Sequence, residues 1–291
     1  MPLPSGLQIA VAEDGDPDGI PVFFFHGWPA SRLQGAGFGP AARQLGLRIV
    51  SPDRPGIGLS SYQPKRALLD WPPVVREIAR QLGFDRFRIL AVSGGGPYAL
   101  ACAYALPELV ERVVVVSGAP PLGPDVDPKA LLPVYRWLLA IHRHQPAVLR
   151  QLFHLARPFA TLRPPRWIWP VILRFVPKED RESLRDPAVF EGSFGCYKEA
   201  WRAGAHGVVS DAEIYGQSWG FAPQSIQVPV RLWHGKADAS FSWHLAEALA
   251  AALPNCKTRF IEGEGHYSLP IRCSRAILED LIAPEALIEK T

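Results

Sequence analysis

A chain of 291 residues with 48% hydrophobic and 20% charged residues has the composition of a globular protein with a substantial core, which excludes a disordered chain. Its net charge of +3 is too small to point to nucleic acid by itself, and no apolar run approaches the length of a membrane span. The start, MPLPSGLQIAVAEDG, lacks the basic and apolar regions of a secretory leader, and Cys102, Cys196, Cys256 and Cys273 share no metal-ligand spacing, so reduced thiols and a cytoplasmic location are expected.

Up to about residue 118, short apolar runs alternate with helix-like stretches. PVFFFHG (21–27), LRIVSPD (47–53), FRILAVS (87–93) and VERVVVVSG (110–118) are continuous in apolarity, which predicts strands buried on both faces of a parallel sheet. Between them PAARQLG, VVREIARQLG and YALACAYALPELV carry helical spacing. Residues 119–227 break the pattern: nine Lys or Arg and no Asp or Glu occupy 128–178, and five of the nine tryptophans lie in this segment. Apolar residues three and four apart (Leu131, Leu132, Tyr135, Leu138, Leu139) predict a helical insertion, with Pro146 dividing two helices. Arg136, Arg143, Arg150 and Arg157 recur every seven residues and read as the solvated face of a lid. Leu138, Leu139, Leu149, Leu152 and Phe153 would then close over a pocket. The sharper alternative is a basic surface, bearing Trp167 and Trp169, that attracts anions or acidic membranes. Alternation resumes with VPVRLWHG (228–235), SWHLAEALAAAL, KTRFIEG (257–263) and a helix from about Pro270. The pattern predicts a doubly wound, mostly parallel α/β sheet, with residues 1–118 and 228–291 forming the core and 119–227 a helical cap.

In ILAVSGGGPYALACAY (89–104) a lone hydroxyl separates a strand from a helix. Such a turn puts Ser93 at the carboxyl edge of the sheet, where ligands of open α/β sheets bind. Small neighbours at Ala91 and Gly95 suit a crowded turn, and Gly94 and Gly95 lie where helix-start N–H groups lack partners. A plain turn and a phosphate loop are the competing readings; no Lys follows as in a P-loop. A nucleophile needs a base and a base needs an orienter. His266 in EGEGHYSLP and Asp238 in LWHGKADASF follow the last two predicted strands, at the same sheet edge as Ser93. FFFHGWPAS offers the Trp28 N–H as a second oxyanion donor beside Gly94, with Gly27 allowing close approach and His26 bracing the loop. Arg54 in PDRPGIGLS reads as structural.

The ordered set HGWP, DRPGIGLS, VSGGGPYAL, HGKAD and GEGHYSLP resembles the α/β-hydrolase superfamily, of the kind with a helical cap, over nearly the whole chain. The resemblance implies a cap inserted after the sixth strand. It also implies Ser93 as nucleophile, His266 as base, Asp238 as its orienter, and an oxyanion hole from Trp28 and Gly94. Gly27, Trp28 and Tyr98 are expected to contact substrate, and no metal or cofactor is required. In some members of this fold the carboxylate follows the strand before the cap, where Asp125 and Asp127 lie. Epoxide hydrolases and haloalkane dehalogenases are similar in cap and motifs but carry Asp at the elbow. The HGGG motif of lipases is missing, and Ala91 stands where Gly is more usual. A serine hydrolase of a small or medium-sized apolar carboxylic ester is the expected activity. Amide, thioester or carbon–carbon cleavage, and a non-catalytic binding protein, are the alternatives. The expected partner is a small-molecule substrate, without nucleic acid or stable membrane association; a homodimer is left open.

Overall fold

The computed structural model describes residues 1–122, 126–165, 167–168, 171, 173–174 and 176–284. Seven strands form one sheet: β1 (Val11–Gly15), β2 (Ile20–Phe25), β3 (Leu47–Pro52), β4 (Phe87–Val92), β5 (Val110–Val116), β6 (Val230–Gly235) and β7 (Cys256–Ile261). Their order is β1-β3-β2-β4-β5-β6-β7, with β1 antiparallel to β3 and every other pair parallel.

The continuous apolar runs are explained by two cores. Phe23, Phe25, Ile89, Ala91, Val113 and Val115 point to one face of the sheet. Val22, Phe24, Leu90, Val92, Val114 and Val116 point to the other. Successive side chains of a strand alternate between faces, so a strand buried on both has no polar position. The helices α1 (Gly39–Gln44), α2 (Trp71–Leu82) and α3 (Gly96–Ala105) connect the first strands, and α9 (Trp243–Ala252), α10 (Ser268–Arg272) and α11 (Ser274–Ile282) accompany the last. β1 escapes the sequence reading because VAEDG is a charged, partly exposed edge strand of poor β propensity.

Among the described residues, the α-helices between β5 and β6 are α4 (Pro133–His144), α5 (Pro146–Thr161), α6 (Lys178–Leu184), α7 (Pro187–Ala200) and α8 (His206–Tyr215). In chain order they follow the fifth strand, not the sixth. Pro146 stands at the first position of α5, where its missing N–H costs little. Arg143, Arg150 and Arg157 of the arginine row are exposed, as a solvated face requires, and each also bonds a neighbouring segment. Arg150 donates to Glu213 at 2.6 Å, Arg157 to the Trp201 carbonyl at 3.2 Å and Arg143 to the Leu122 carbonyl at 3.2 Å. A guanidinium long enough to reach a neighbouring helix ties the insertion together as well as covering it. Asp125, Arg166 and Trp169 lie outside the described residues. Among the described residues, no helix is long and apolar enough to cross a membrane.

Candidate active site

β4 ends at Val92, and Ser93 opens a tight turn (93–95) that leads into α3. Ser93 has φ +52°, a left-handed conformation uncommon for a residue with a side chain and characteristic of strained functional turns. Gly95 permits the turn: a Cβ there would strike the Phe25 carbonyl oxygen on the neighbouring strand. The strain lifts the hydroxyl out of the sheet toward the loops that follow β6 and β7.

Those loops deliver the other two residues. His266 Nε2 lies 2.9 Å from Ser93 Oγ, and its Nδ1 lies 2.8 Å from Asp238 Oδ2. Asp238 is fixed by two backbone donors to its Oδ1, Ser240 N–H at 2.7 Å and Phe241 N–H at 3.1 Å. His234 Nε2, between the Phe241 carbonyl (3.0 Å) and Asp238 Oδ2 (3.2 Å), faces two acceptors and therefore carries a proton. Burial works against the Asp238 charge, but the adjacent His266 and the hydrogen bonds from His234 and His266 outweigh it and lower the carboxyl pKa. For His266 burial alone would lower the pKa; Asp238 and then Asp180 outweigh it and raise it. With the proton held on Nδ1 by an ionised Asp238, Nε2 is left to accept from the Ser93 hydroxyl. Asp127 is exposed and accepts from its own turn, Lys129 N–H at 2.9 Å, so Asp238 rather than Asp127 meets the histidine.

Arg54, fully buried, donates to the carbonyls of His26 (2.7 Å) and Gly27 (2.8 Å). The carbonyl and N–H of a trans peptide point in opposite directions, so the bond to the Gly27 carbonyl turns the Trp28 N–H away from the arginine. The Ser93 carbonyl accepts from Ala119 N–H at 2.9 Å, which turns the Gly94 N–H the other way by the same geometry. Trp28, Ser93 and Gly94 all line one cavity.

Tyr98 does not line it. Its hydroxyl donates to Asp211 Oδ1 at 2.7 Å and its ring is fully buried, so the expectation that it touches substrate is wrong. On α3, Tyr98 turns into the core, where Asp211 of α8 also receives Arg54 (2.8 Å) and Arg66. Burial alone would raise the Asp211 carboxyl, but Arg54 and Arg66 hold it down to about 2. From the same helix Tyr215 donates to the Gly94 carbonyl at 2.9 Å.

The cavity holds about 560 Å³ of empty space, part of it open to solvent. Its walls are mostly apolar, including Leu138, Leu139 and Leu149 of α4 and α5; His142 of α4 adds an imidazole. Phe153 packs instead against the rings of Trp28 and Trp201. Among the described residues, no cluster of His, Cys, Asp and Glu is arranged to hold a metal ion.

His142, Asp180, Asp211, Tyr215 and His234 were not found in the sequence, and of these Asp180 bonds the backbone of the base itself. Asp180 on α6 is buried, and its carboxylate accepts from three consecutive backbone N–H groups: His266 (3.1 Å), Tyr267 (2.8 Å) and Ser268 (2.8 Å). Burial raises its pKa, an effect those three donors oppose.

Relatives in sequence cover only part of this chain. The soluble epoxide hydrolase of Corynebacterium sp. (strain C12) is 28% identical over 109 residues, 36% of each chain. The proline iminopeptidase of Neisseria gonorrhoeae is 34% identical over 115 residues, 37% of this chain and 36% of that one. The match thus spans about a third of either relative. In structure the likeness runs nearly end to end. A thermophilic esterase from Thermogutta terrifontis superposes with TM-score 0.66 over 96% of this chain and 94% of its own, at 20% identity, which speaks for the fold alone. A sequence model of the Alpha/beta hydrolase family matches residues 22–279, and with this sheet the chain belongs to that family.

Proposed function

We propose that the protein is a serine hydrolase that cleaves a small or medium-sized, largely apolar carboxylic ester through an acyl-enzyme. The observation that carries the reading is the unbroken hydrogen-bond sequence from Asp238 through His266 to Ser93, at the edge of a mostly apolar cavity. Ser93, rather than Asp, at the elbow favours an acyl-enzyme over the epoxide chemistry named for one relative. The apolar walls favour an acyl or alkyl chain over a charged substrate.

In this mechanism His266 Nε2 takes the Ser93 proton as Oγ attacks the ester carbonyl carbon. The carbonyl π pair moves to oxygen, where the Trp28 and Gly94 N–H groups receive the oxyanion. Collapse breaks the bond to the alcohol, which leaves with the proton held by His266. Water, deprotonated by His266, then attacks the acyl carbon, and Ser93 departs with that proton. Asp238 holds the imidazole in one tautomer and stabilises its charged form, without itself being protonated.

A fluorophosphonate probe and a panel of p-nitrophenyl esters from short to long chain test the reading. Covalent labelling of Ser93 and ester turnover are expected. Ser93→Ala should lose turnover by at least about a thousandfold with an unchanged circular-dichroism spectrum. Turnover that survives this substitution would remove Ser93 from the chemistry.

A further inference from the structure

Among the described residues, the polar side chains of the cavity wall are spent on the protein itself, with one exception. Trp28 Nε1 donates to the Val208 carbonyl at 2.9 Å, the Tyr215 hydroxyl to the Gly94 carbonyl at 2.9 Å, and the Tyr135 hydroxyl pairs with Ser240. His142 is different. Its ring lines the cavity, and its Nδ1 is buried with no hydrogen-bond partner among the described residues. An unpaired buried polar group costs about 1–3 kcal/mol, and in a native structure it calls for an explanation. A purely apolar pocket would be served better by Leu or Phe at this position.

The seat of the ring is built. Gly216, just past α8, faces the imidazole, and a Cβ there would strike His142 Cδ2 and come within 2.9 Å of Nε2. The absence of a side chain at 216 makes room for the imidazole in the wall. From these observations we infer that His142 is a specificity-determining residue, a hydrogen-bonding anchor for a carbonyl or hydroxyl group carried along the substrate's otherwise apolar chain. The inference rests on the ester-hydrolase reading of the cavity and deepens it: the preferred substrate is a chain with one polar oxygen remote from the scissile bond, rather than a plain alkyl ester. Burial lowers the His142 pKa; Arg143 and Arg150 act in the same direction and Glu213 opposes them. A ring held neutral carries one N–H donor and one acceptor nitrogen, so either a ketone or an alcohol can be bound.

The test offers p-nitrophenyl octanoate, and analogues with a single ketone walked along the octanoyl chain, to wild type, His142→Phe and His142→Gln. In wild type one ketone position should raise kcat/KM over the plain ester by roughly two- to tenfold, the range of one net neutral hydrogen bond. That preference should vanish in His142→Phe and return in part in His142→Gln. A flat profile in wild type, or one that survives in His142→Phe, overturns the assignment. A second arm needs no turnover: the free oxo-octanoic acids are titrated into the protein while the His142 ring ¹⁵N shifts are followed. A shift for one ketone position above that for octanoate supports the anchor, and equal responses refute it. Failure of the ester chemistry is read separately, as absence of fluorophosphonate labelling at Ser93.

Discussion

Asp180→Asn separates a residue that merely supports the fold from one that sets the histidine. The carboxylate accepts three backbone N–H groups of residues 266–268, at 2.8–3.1 Å. Each hydrogen bond to a charged group contributes about 1.5–3 kcal/mol, and each buried N–H left unpaired costs about 1–3 kcal/mol. An amide keeps one acceptor oxygen but turns an NH₂ group toward a backbone donor. The loss is therefore about 2–4 kcal/mol, a large part of the roughly 5–15 kcal/mol of a folded domain. The second effect is electrostatic. The Asp180 charge is among the causes that raise the His266 pKa, after Asp238. A neutral Asn removes that contribution, so the pKa falls. A protonated His266 cannot accept the Ser93 proton, so the acid limb of kcat/KM follows this pKa. The limb should move to lower pH in Asp180→Asn, while the maximum rate drops and the melting temperature falls by several degrees. The assay is a pH profile of kcat/KM beside thermal melts. A lower melting temperature with an unmoved acid limb would refute the coupling and leave Asp180 a structural residue only.

Two further outcomes come from α8, farther along the insertion. Tyr215→Phe removes the hydroxyl on the Gly94 carbonyl and should lower kcat several-fold with little change in KM, as steady-state kinetics would read; an unchanged kcat would free the oxyanion loop from that contact. Asp211→Asn leaves Arg54 and Arg66 without their buried counter-charge and should destabilise by about 3–5 kcal/mol at neutral pH. The Asp211 carboxyl is depressed to about 2 in the folded state, so its contribution is complete above the ordinary carboxylate pKa of about 3.9 and is lost as pH falls below it. In denaturant melts the gap between wild type and variant should narrow as pH drops from about 4 toward about 2, and a constant gap would contradict the assignment.

What was legible in the sequence is what is local. The turn at Ser93 was marked by its glycines, and Asp238 and His266 by their place after predicted strands, because a parallel sheet collects all its strand ends at one edge. Tyr98 was misjudged because five residues beyond the serine is more than one helical turn, and the side chain faces the core rather than the cavity. Asp180 and Asp211 were invisible for a different reason. They act 86 and 157 residues away from His266 and Arg54, and in sequence each is an ordinary acidic residue on a short helix. The solvated face of the arginine row was legible, since Arg143, Arg150 and Arg157 are exposed; their acceptors, such as Glu213 and the Trp201 carbonyl, were not, because they belong to segments far along the chain.

These long-range contacts decide which part of the helical insertion can open. α6 is tied to the histidine loop by the three bonds to Asp180, and α8 to the core by Asp211 and Tyr215. Separating either would leave buried charge or three N–H groups unpaired, at about 3 kcal/mol or more. α4 and α5 meet the cavity through Leu138, Leu139 and Leu149, apolar contacts without directional preference. The ion pair joining α5 to α8, Arg150 with Glu213, is more than half exposed at the arginine, and such surface pairs contribute little. The outer faces of α4 and α5, at Trp137, Leu155 and Phe159, are already exposed. Passage to Ser93 is therefore expected to open at α4 and α5, with α6 and α8 held in place. Hydrogen exchange followed by mass spectrometry reads this directly: peptides covering residues 133–161 should exchange faster than those covering 206–215. Covalent occupancy of Ser93 by an alkyl fluorophosphonate should slow the first set and leave the second unchanged. Faster exchange in 206–215 would mean that the buried ion cluster opens first, and that the route to the serine runs past Asp211.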